Sequence, residues 1–277
     1  MAITTGDQLL DALGNNSSRL VIDKASLANQ VAGRYCSLWR ATGQPAQGAI
    51  PTTAAVPTSA TTGSPDFANQ TSPATSYLAW LFAVSANNAQ TLEVHDRVAH
   101  IGGFALNSTS PQTVTGMDLS TLAPPAARIG SANYSDLQWW LEVYADGGAT
   151  ASNATINVTY DDASTGNLNT QAVGGTIRIG HMFPLTPLIP TGSQGKFIRG
   201  VNTVTLSAST GTLGNFGFTC TRPRTALPMV LANKMEVGDW QLLGLPEIAN
   251  DSCLQYVILP STTSSGTLRG GAKIAHG

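Results

Sequence analysis

Charged residues are scarce in this chain. Lys, Arg, Asp and Glu account for 11% of its 277 residues, whereas about 25% is usual for a soluble globular domain. Ser, Thr, Asn, Gln and Gly supply the polar surface instead. Because desolvating uncharged polar groups costs less than desolvating charges, this composition favours a subunit that packs against other proteins.

A basic stripe, a membrane span and a signal peptide are also missing. The 14 Lys and Arg residues are scattered and the net charge is −2, which argues against a nucleic-acid partner. No apolar run approaches the roughly 18–20 residues of a transmembrane helix, so no membrane partner is expected. Residues 1–7 contain neither a basic nor an apolar segment, which predicts synthesis in the cytoplasm without secretion. Cys36, Cys220 and Cys253 form no CxxC pair, and we expect them to be buried, reduced thiols.

Common catalytic and nucleotide-binding motifs are absent. The chain contains no Gly-x-Ser-x-Gly, no P-loop, no His-Glu-x-x-His and no Gly-x-Gly-x-x-Gly sequence. We therefore expect no enzyme activity, no catalytic residue, no metal site and no cofactor.

Two polar clusters leave alternatives open. His95, with Arg97 on the same face of a predicted strand and His100 close behind, could ligate a metal if a carboxylate joined them. A surface salt bridge or a hydrogen bond to a loop is the favoured interpretation. Asp161-Asp162 could bind calcium, although an ordinary turn is the simpler interpretation.

The segment 41–75 differs in composition from the rest of the chain. Its prolines stand among Ala, Thr, Ser and Gly with almost no large apolar residue, so it cannot form a compact core of its own. We expect either a mobile surface loop or an arm that lies extended across a partner. Before it, Thr5 caps a predicted helix that continues to Leu13, in which Leu9, Leu10 and Leu13 share the apolar face and Gly14 ends the helix.

Beyond Ser76 the pattern predicts many short strands separated by turn residues. The predicted strands are 77–85, 91–98, 137–144, 154–160, 175–180, 201–208, 215–221, 239–245, 253–259 and 266–274. Residues 163–167 and 208–211 are interpreted as hairpin loops. This pattern predicts an all-β fold, a β-sandwich or jelly roll, with 1–75 forming a short N-terminal helix, a strand and the extended arm and 76–277 forming the sandwich core.

Trp139 and Trp140 are adjacent in a predicted strand and therefore face opposite sides. Only one indole can join the core of a half-buried sheet, so the other must be covered by a second layer, a neighbouring subunit or a ligand. Burial in the core and between subunits is the favoured interpretation. A carbohydrate-binding platform is the alternative.

Several segments together resemble one group of proteins. They are Tyr35–Trp39 with Ala41–Gly43, Leu141–Tyr144, Thr205–Gly217, Leu243–Pro246 and Asp251–Leu254. In this order, and over nearly the whole chain, they resemble structural proteins encoded by tailed bacteriophages. The resemblance implies a virion protein rather than an enzyme.

Our first hypothesis is a capsid decoration protein on the outer surface of the head. Its partners would be the major capsid protein and copies of itself, as a homotrimer. A tail, baseplate or fibre-attachment subunit and a carbohydrate-binding receptor module remain alternatives. A major capsid protein is also possible, but the shells of tailed phages are normally built on a mixed α/β fold with a long helix, and no stretch here predicts one, which favours an accessory subunit. The residues predicted to contact partners are Pro45, Pro51, Pro57, Pro65, Trp140 and Tyr144.

Overall fold

Antiparallel strands account for 42% of the residues and helices for 10% in the structure, a computed structural model that describes residues 2–277. The chain is an all-β sandwich with a short N-terminal helix, which confirms the predicted fold class. The strands are β1 (Ser17–Lys24), β2 (Cys36–Ser37), β3 (Gly43–Gln44), β4 (Ser76–Ser85), β5 (Gln90–Phe104), β6 (Gln112–Thr113), β7 (Gln138–Ala145), β8 (Ser152–Tyr160), β9 (Thr165–Asn167), β10 (Gln171–Val173), β11 (Met182–Pro184), β12 (Ile198–Leu206), β13 (Asn215–Met229), β14 (Met235–Asp239), β15 (Glu247–Ile248), β16 (Leu254–Leu259) and β17 (Leu268–His276). The helices are α1 (Gly6–Asn15), α2 (Leu119–Leu122), α3 (Ala126–Ile129) and α4 (Trp240–Leu243), with short 3-10 turns at Thr186–Leu188 and Thr191–Ser193.

Helix α1 begins where the sequence predicts. Thr5 is its N-cap and forms a capping box with Gln8, which satisfies two backbone donors of the first turn. The helix continues past Gly14 to Asn15, two residues beyond the predicted end at Leu13. Leu9 is buried, but Leu10 is 62% exposed, so the predicted apolar face is only partly correct.

The chain divides into two units. The first unit comprises Met1–Ala49, Thr58–Asp96 and Pro223–Gly277, and the second comprises Ile50–Pro57 and Arg97–Arg222. This division differs from the predicted boundary at residue 75. Strand pairing joins residues far apart in sequence, so the contacts that define each unit are not visible in the order of the chain.

In the first unit, one sheet has the strand order β14-β4-β17-β1-β3. Its inward side packs against β16 and the first half of β5, and both layers contribute to one apolar core. Leu20 and Ile22 of β1 and Leu92 and Val94 of β5 are examples of the side chains in this core. Helix α1 covers part of the other side, where Leu9 and Ala12 pack against Ala79 and Ala275.

In the second unit, β7 pairs with β11 and with the first half of β13, while β8 pairs with β12, β9 and β10. Trp139 and Leu141 from the first layer and Ile156 and Val158 from the second share one apolar core. The alternation predicted for β8 is confirmed, because Ala154, Ile156, Val158 and Tyr160 are all buried.

Three predicted elements are wrong. Residues 175–180 form turns between β10 and β11, and residues 239–245 contain helix α4, whose N-cap is Asp239. Residues 208–211 link β12 to β13, which belong to different sheets, so this loop does not close a hairpin. The other predicted hairpin loop, residues 163–167, does close a hairpin, because β9 pairs with β8.

The proline-rich segment packs against its own chain. Within the first unit, Gly48 and Gly63 lie against the ring of Trp39, where an added Cβ would come within 2.1 Å and 2.8 Å of ring carbons. The indole nitrogen of Trp39 donates a hydrogen bond to the carbonyl of Ala49 at 2.9 Å. Small residues are therefore needed here so that the backbone can approach an aromatic ring, a role that composition did not indicate.

Candidate interaction surface

The six residues predicted to contact partners lie beneath the surface of the chain. Trp140 is 2% exposed and Tyr144 is fully buried, and the prolines at 45, 51, 57 and 65 are buried as well. In this structure their side chains cannot reach a neighbouring molecule. This burial argues against their predicted role as contact residues, which stays a prediction.

Trp139 and Trp140 face opposite sides of β7, as predicted, but the chain itself covers both. The Trp139 indole nitrogen donates to the carbonyl of Ile198 at 2.7 Å, and that of Trp140 donates to the Thr221 hydroxyl at 2.8 Å. A sugar cannot stack on rings that are 1% and 2% exposed. The alternative of a carbohydrate platform is therefore excluded at this position, and burial within the chain agrees with the favoured interpretation.

Arg97 belongs to a buried polar network in the second unit rather than to a surface salt bridge. Its Nη2 atom lies 2.7 Å from Oε2 of Glu142 and 2.6 Å from the hydroxyl of Tyr144. Nη2 also donates to the Thr219 hydroxyl at 3.1 Å, and that hydroxyl makes a short hydrogen bond to Oε2 of Glu142. Burial raises the pKa of Tyr144 well above its usual value, so the phenol stays neutral.

His100 accepts a hydrogen bond through Nδ1 from Nε of Arg97 at 2.9 Å. Burial, and secondly the positive charge of Arg97, hold the pKa of His100 well below its usual value. A neutral imidazole whose ring nitrogen accepts from a guanidinium is poorly placed to bind a cation. In the first unit, Nε2 of His95 lies 2.7 Å from Oε2 of Glu93, so this histidine also makes an internal contact.

Arg128 holds the Ile50–Pro57 segment in the second unit through a buried hydrogen bond. Its Nη1 donates to the carbonyl of Pro57 and its Nη2 to the carbonyl of Arg97, both at 2.8 Å, and the side chain is 1% exposed. Next to this contact, Ala55 forms a β-bridge with His100. These buried polar groups hold a segment in place, and their lack of solvent access makes them poor candidates for a reaction site.

Asp161 and Asp162 behave as turn residues. Asp161 accepts a hydrogen bond from the backbone of Phe197 at 2.9 Å, and Asp162 forms an ion pair with Lys196 at 2.8 Å. The hydrogen bonds from Lys196 and Ser164 hold the pKa of Asp162 well below its usual range. Because an ammonium group already occupies this carboxylate, the geometry favours the turn over a calcium site.

His276 contacts two serines in the first unit. Its Nε2 lies 2.7 Å from the hydroxyl of Ser18, and its Nδ1 lies 2.8 Å from the hydroxyl of Ser76. A Ser-His-acid triad would place a carboxylate on one of these nitrogens, so the arrangement differs from that catalytic geometry. Burial lowers the pKa of His276.

Among residues 2–277, no group of three or more His, Cys, Asp or Glu side chains is arranged to hold a metal ion. Cys36, Cys220 and Cys253 are free and buried. None of the helices in the same residues combines the length and the apolar character needed to cross a bilayer.

Seven exposed large apolar residues of the first unit lie on β14, on β4 and on the segments that adjoin β14. We define the β14 surface as the exposed apolar residues of β14, α4, the turn before β14 and the adjoining part of β4. The exposed fractions are 36% for Trp80, 59% for Val230, 54% for Leu231, 54% for Met235, 42% for Val237, 43% for Trp240 and 63% for Leu242.

The strand register explains this grouping. Val237 pairs with Phe82 and Met235 pairs with Val84, so these four side chains lie on the same face of the sheet. The ring centroids of Phe82 and Trp80 are 5.0 Å apart on that face. Sequence reasoning missed this surface, although one signal was present: residues 77–84 are apolar at almost every position, which means that one side of β4 carries apolar residues away from the core.

No family model matches the chain, and no curated protein matches it. Among solved structures, the chain is similar to the VP2 protein of infectious bursal disease virus in T=1 particles, with 10% identity over 94% of this chain and 77% of that chain and a TM-score of 0.18. A second similar structure is that of the Gt strain of the same virus, with 9% identity over 94% of this chain and 80% of that chain and a TM-score of 0.18. TM-scores this low do not establish a shared fold, so functional conclusions rest on the surfaces of the chain itself.

Proposed function

We propose that the chain is a non-enzymatic structural protein of a virus particle, and specifically a capsid decoration protein of a tailed bacteriophage. The observation that carries the proposal is the β14 surface, where exposed apolar side chains of β14 and β4 share one face of the sheet on a chain with few charges. Grouped exposed apolar side chains are typical of surfaces that another protein covers. The resemblance of the sequence to structural proteins of tailed phages supports the choice of particle.

In this role the partners are the major capsid protein and other copies of the chain, on the outer surface of the head. A decoration protein binds the assembled lattice and not the free capsid subunit. Its binding free energy therefore shifts the equilibrium towards the intact shell. The β14 surface replaces the proline-rich segment as the element expected to make this contact.

Purified particles of the virus that encodes the chain provide the first test. Quantitative mass spectrometry should find hundreds of copies per particle, and electron cryomicroscopy should locate them outside the head. A few copies at one end of the particle would support a tail, baseplate or fibre-attachment role instead. Absence of the chain from purified particles would overturn the proposal.

A matched pair of variants tests the surface. Leu242→Lys places a charge within the β14 surface, whereas Leu10→Lys places one on α1 at nearly the same exposed fraction, 63% against 62%. We expect the first variant to bind undecorated heads at least ten times more weakly and the second to bind like the parent protein, with circular dichroism confirming that both fold. If the two variants bound equally well, the β14 surface would not be the surface that contacts the head.

A further inference from the structure

Strand β14 has an open edge. It ends the order β14-β4-β17-β1-β3, so the peptide groups on its outer side have no strand partner among the residues that the structure describes. It pairs with β4 over five successive residues, from Met235 opposite Val84 to Asp239 opposite Trp80, without a register shift. The edge is therefore regular enough to accept a further strand.

Most features that usually protect such an edge are missing from β14; the exception is Glu236, which lies on the same side of the strand as the buried Gly238. Natural edge strands are blocked by prolines, bulges, charges that point inwards or very short length. β14 contains no proline and no bulge, and Met235 and Val237 are 54% and 42% exposed. Exposed apolar residues on a regular open edge predict pairing with another strand.

The two acidic side chains of β14 already have partners within the chain. Asp239 accepts hydrogen bonds from the backbone of Gln241 and Leu242 as the N-cap of α4. Glu236 lies 3.4 Å from the ammonium group of Lys234. Both charges are partly compensated, which weakens their power to repel an incoming strand.

We propose that β14 pairs with β14 of a second copy of the chain, antiparallel, about a two-fold axis beside Val237. In this register Val237 faces Val237 of the second copy. Met235 lies opposite Asp239, and Glu236 lies opposite Gly238, so no like charges face each other directly. The alternative register centred on Glu236 places two carboxylates opposite each other, and the one centred on Gly238 places Val237 opposite Asp239.

The pairing joins two six-stranded sheets into one of twelve strands and gives the open edge of β14 a partner in both copies. It also brings the two β14 surfaces side by side, which doubles the apolar area offered to a further partner. A closed antiparallel pair of this kind produces a dimer. The homotrimer expected from the phage resemblance would need a different surface, and the two contacts together would produce a hexamer.

Disulfide trapping tests the register. Directly paired residues of antiparallel strands have Cα atoms about 4.5–5.5 Å apart, which matches the span of a disulfide. In the proposed register the two Val237 positions are directly paired, whereas the two Met235 positions are displaced by four residues, about 13 Å. Mild oxidation should therefore convert Val237→Cys into a covalent dimer, and should leave Met235→Cys and the parent protein, whose three thiols are buried, as single chains on non-reducing gels.

Sedimentation velocity of the isolated protein tests the pairing itself. We expect the parent protein and Leu213→Lys, which is altered at a 62% exposed residue of the second unit, to form a reversible dimer at micromolar concentration. The substitution Val237→Lys should raise the apparent dissociation constant of this dimer at least tenfold. A parent protein that remains a monomer at all concentrations, or trapping at position 235 but not at 237, would overturn the inference. These outcomes do not depend on whether the chain occurs in a particle, so the proposed function succeeds or fails separately.

Discussion

Nη2 of Arg97 lies 2.7 Å from Oε2 of Glu142, and the two side chains are 0% and 1% exposed. An ion pair removed from water gains little net stability, because its attraction mainly offsets the desolvation of both charges. Losing one partner is much more damaging, since the other charge is left buried without compensation. The stability of the second unit should therefore depend strongly on keeping both partners of this pair.

Glu142→Gln should lower the free energy of unfolding by about 3–5 kcal/mol, because the guanidinium of Arg97 would lose its counter-charge. Urea unfolding followed by tryptophan fluorescence measures the change. The double variant Arg97→Met/Glu142→Leu serves as the control and should recover part of the loss, since apolar residues can replace a buried pair but His100 and Tyr144 lose the hydrogen bonds that Arg97 donates. A single variant as stable as the parent protein would show that the pair is not needed.

Arg128→Met should release the segment Ile50–Pro57. The carbonyl of Pro57 would lose its buried hydrogen-bond donor, at a cost of about 1–3 kcal/mol. If that energy appears as local opening, thermolysin should cleave within the segment about tenfold faster or more. Mass spectrometry of the fragments locates the cut, and Arg269→Met, at a side chain that is 73% exposed, should be cleaved at the parent rate.

Gly48→Ala should destabilise the first unit, because the new methyl group would lie 2.1 Å from a ring carbon of Trp39. Forced overpacking of this kind costs about 1–3 kcal/mol and sometimes more. Gly192→Ala is the matched control, since nothing lies within 4 Å of its added Cβ. A thermal midpoint for Gly48→Ala equal to that of the control would contradict the close packing of Gly48 against Trp39.

Stability should decrease as the pH falls from about 7 to 5. Burial lowers the pKa values of His100 and His276 below the usual 6.5, so the unfolded chain binds protons in this range that the folded chain does not. The contribution of each histidine is complete above the unfolded pKa and is lost as the pH drops below it. His100→Gln and His276→Gln should each make the free energy of unfolding less dependent on pH, as measured by urea unfolding at successive pH values, and unchanged slopes would refute the assignment.

Local sequence patterns were sufficient to predict much of the secondary structure. The cap at Thr5 predicted α1 because one side chain and its immediate neighbours determine a helix start. The alternation in residues 154–160 predicted β8, since a strand with one buried face has a period of two. The strand predicted at 239–245 was wrong because Asp239 caps a helix there, and a short apolar run does not distinguish the two structures.

The sequence by itself was enough to predict the β class, the burial of the cysteines and a surface with few charges. These properties follow from composition and from the alternation of apolar and polar residues, which can be read without knowing which strands pair. Only the tertiary structure decided which faces meet water. It buried Trp140 and Tyr144 on the second face of β7, folded the proline-rich segment onto its own chain, and left β14 as an open edge with Val237 exposed. Those outcomes depend on which strands pair and which layers cover them, and strand pairing joins residues that the sequence keeps far apart.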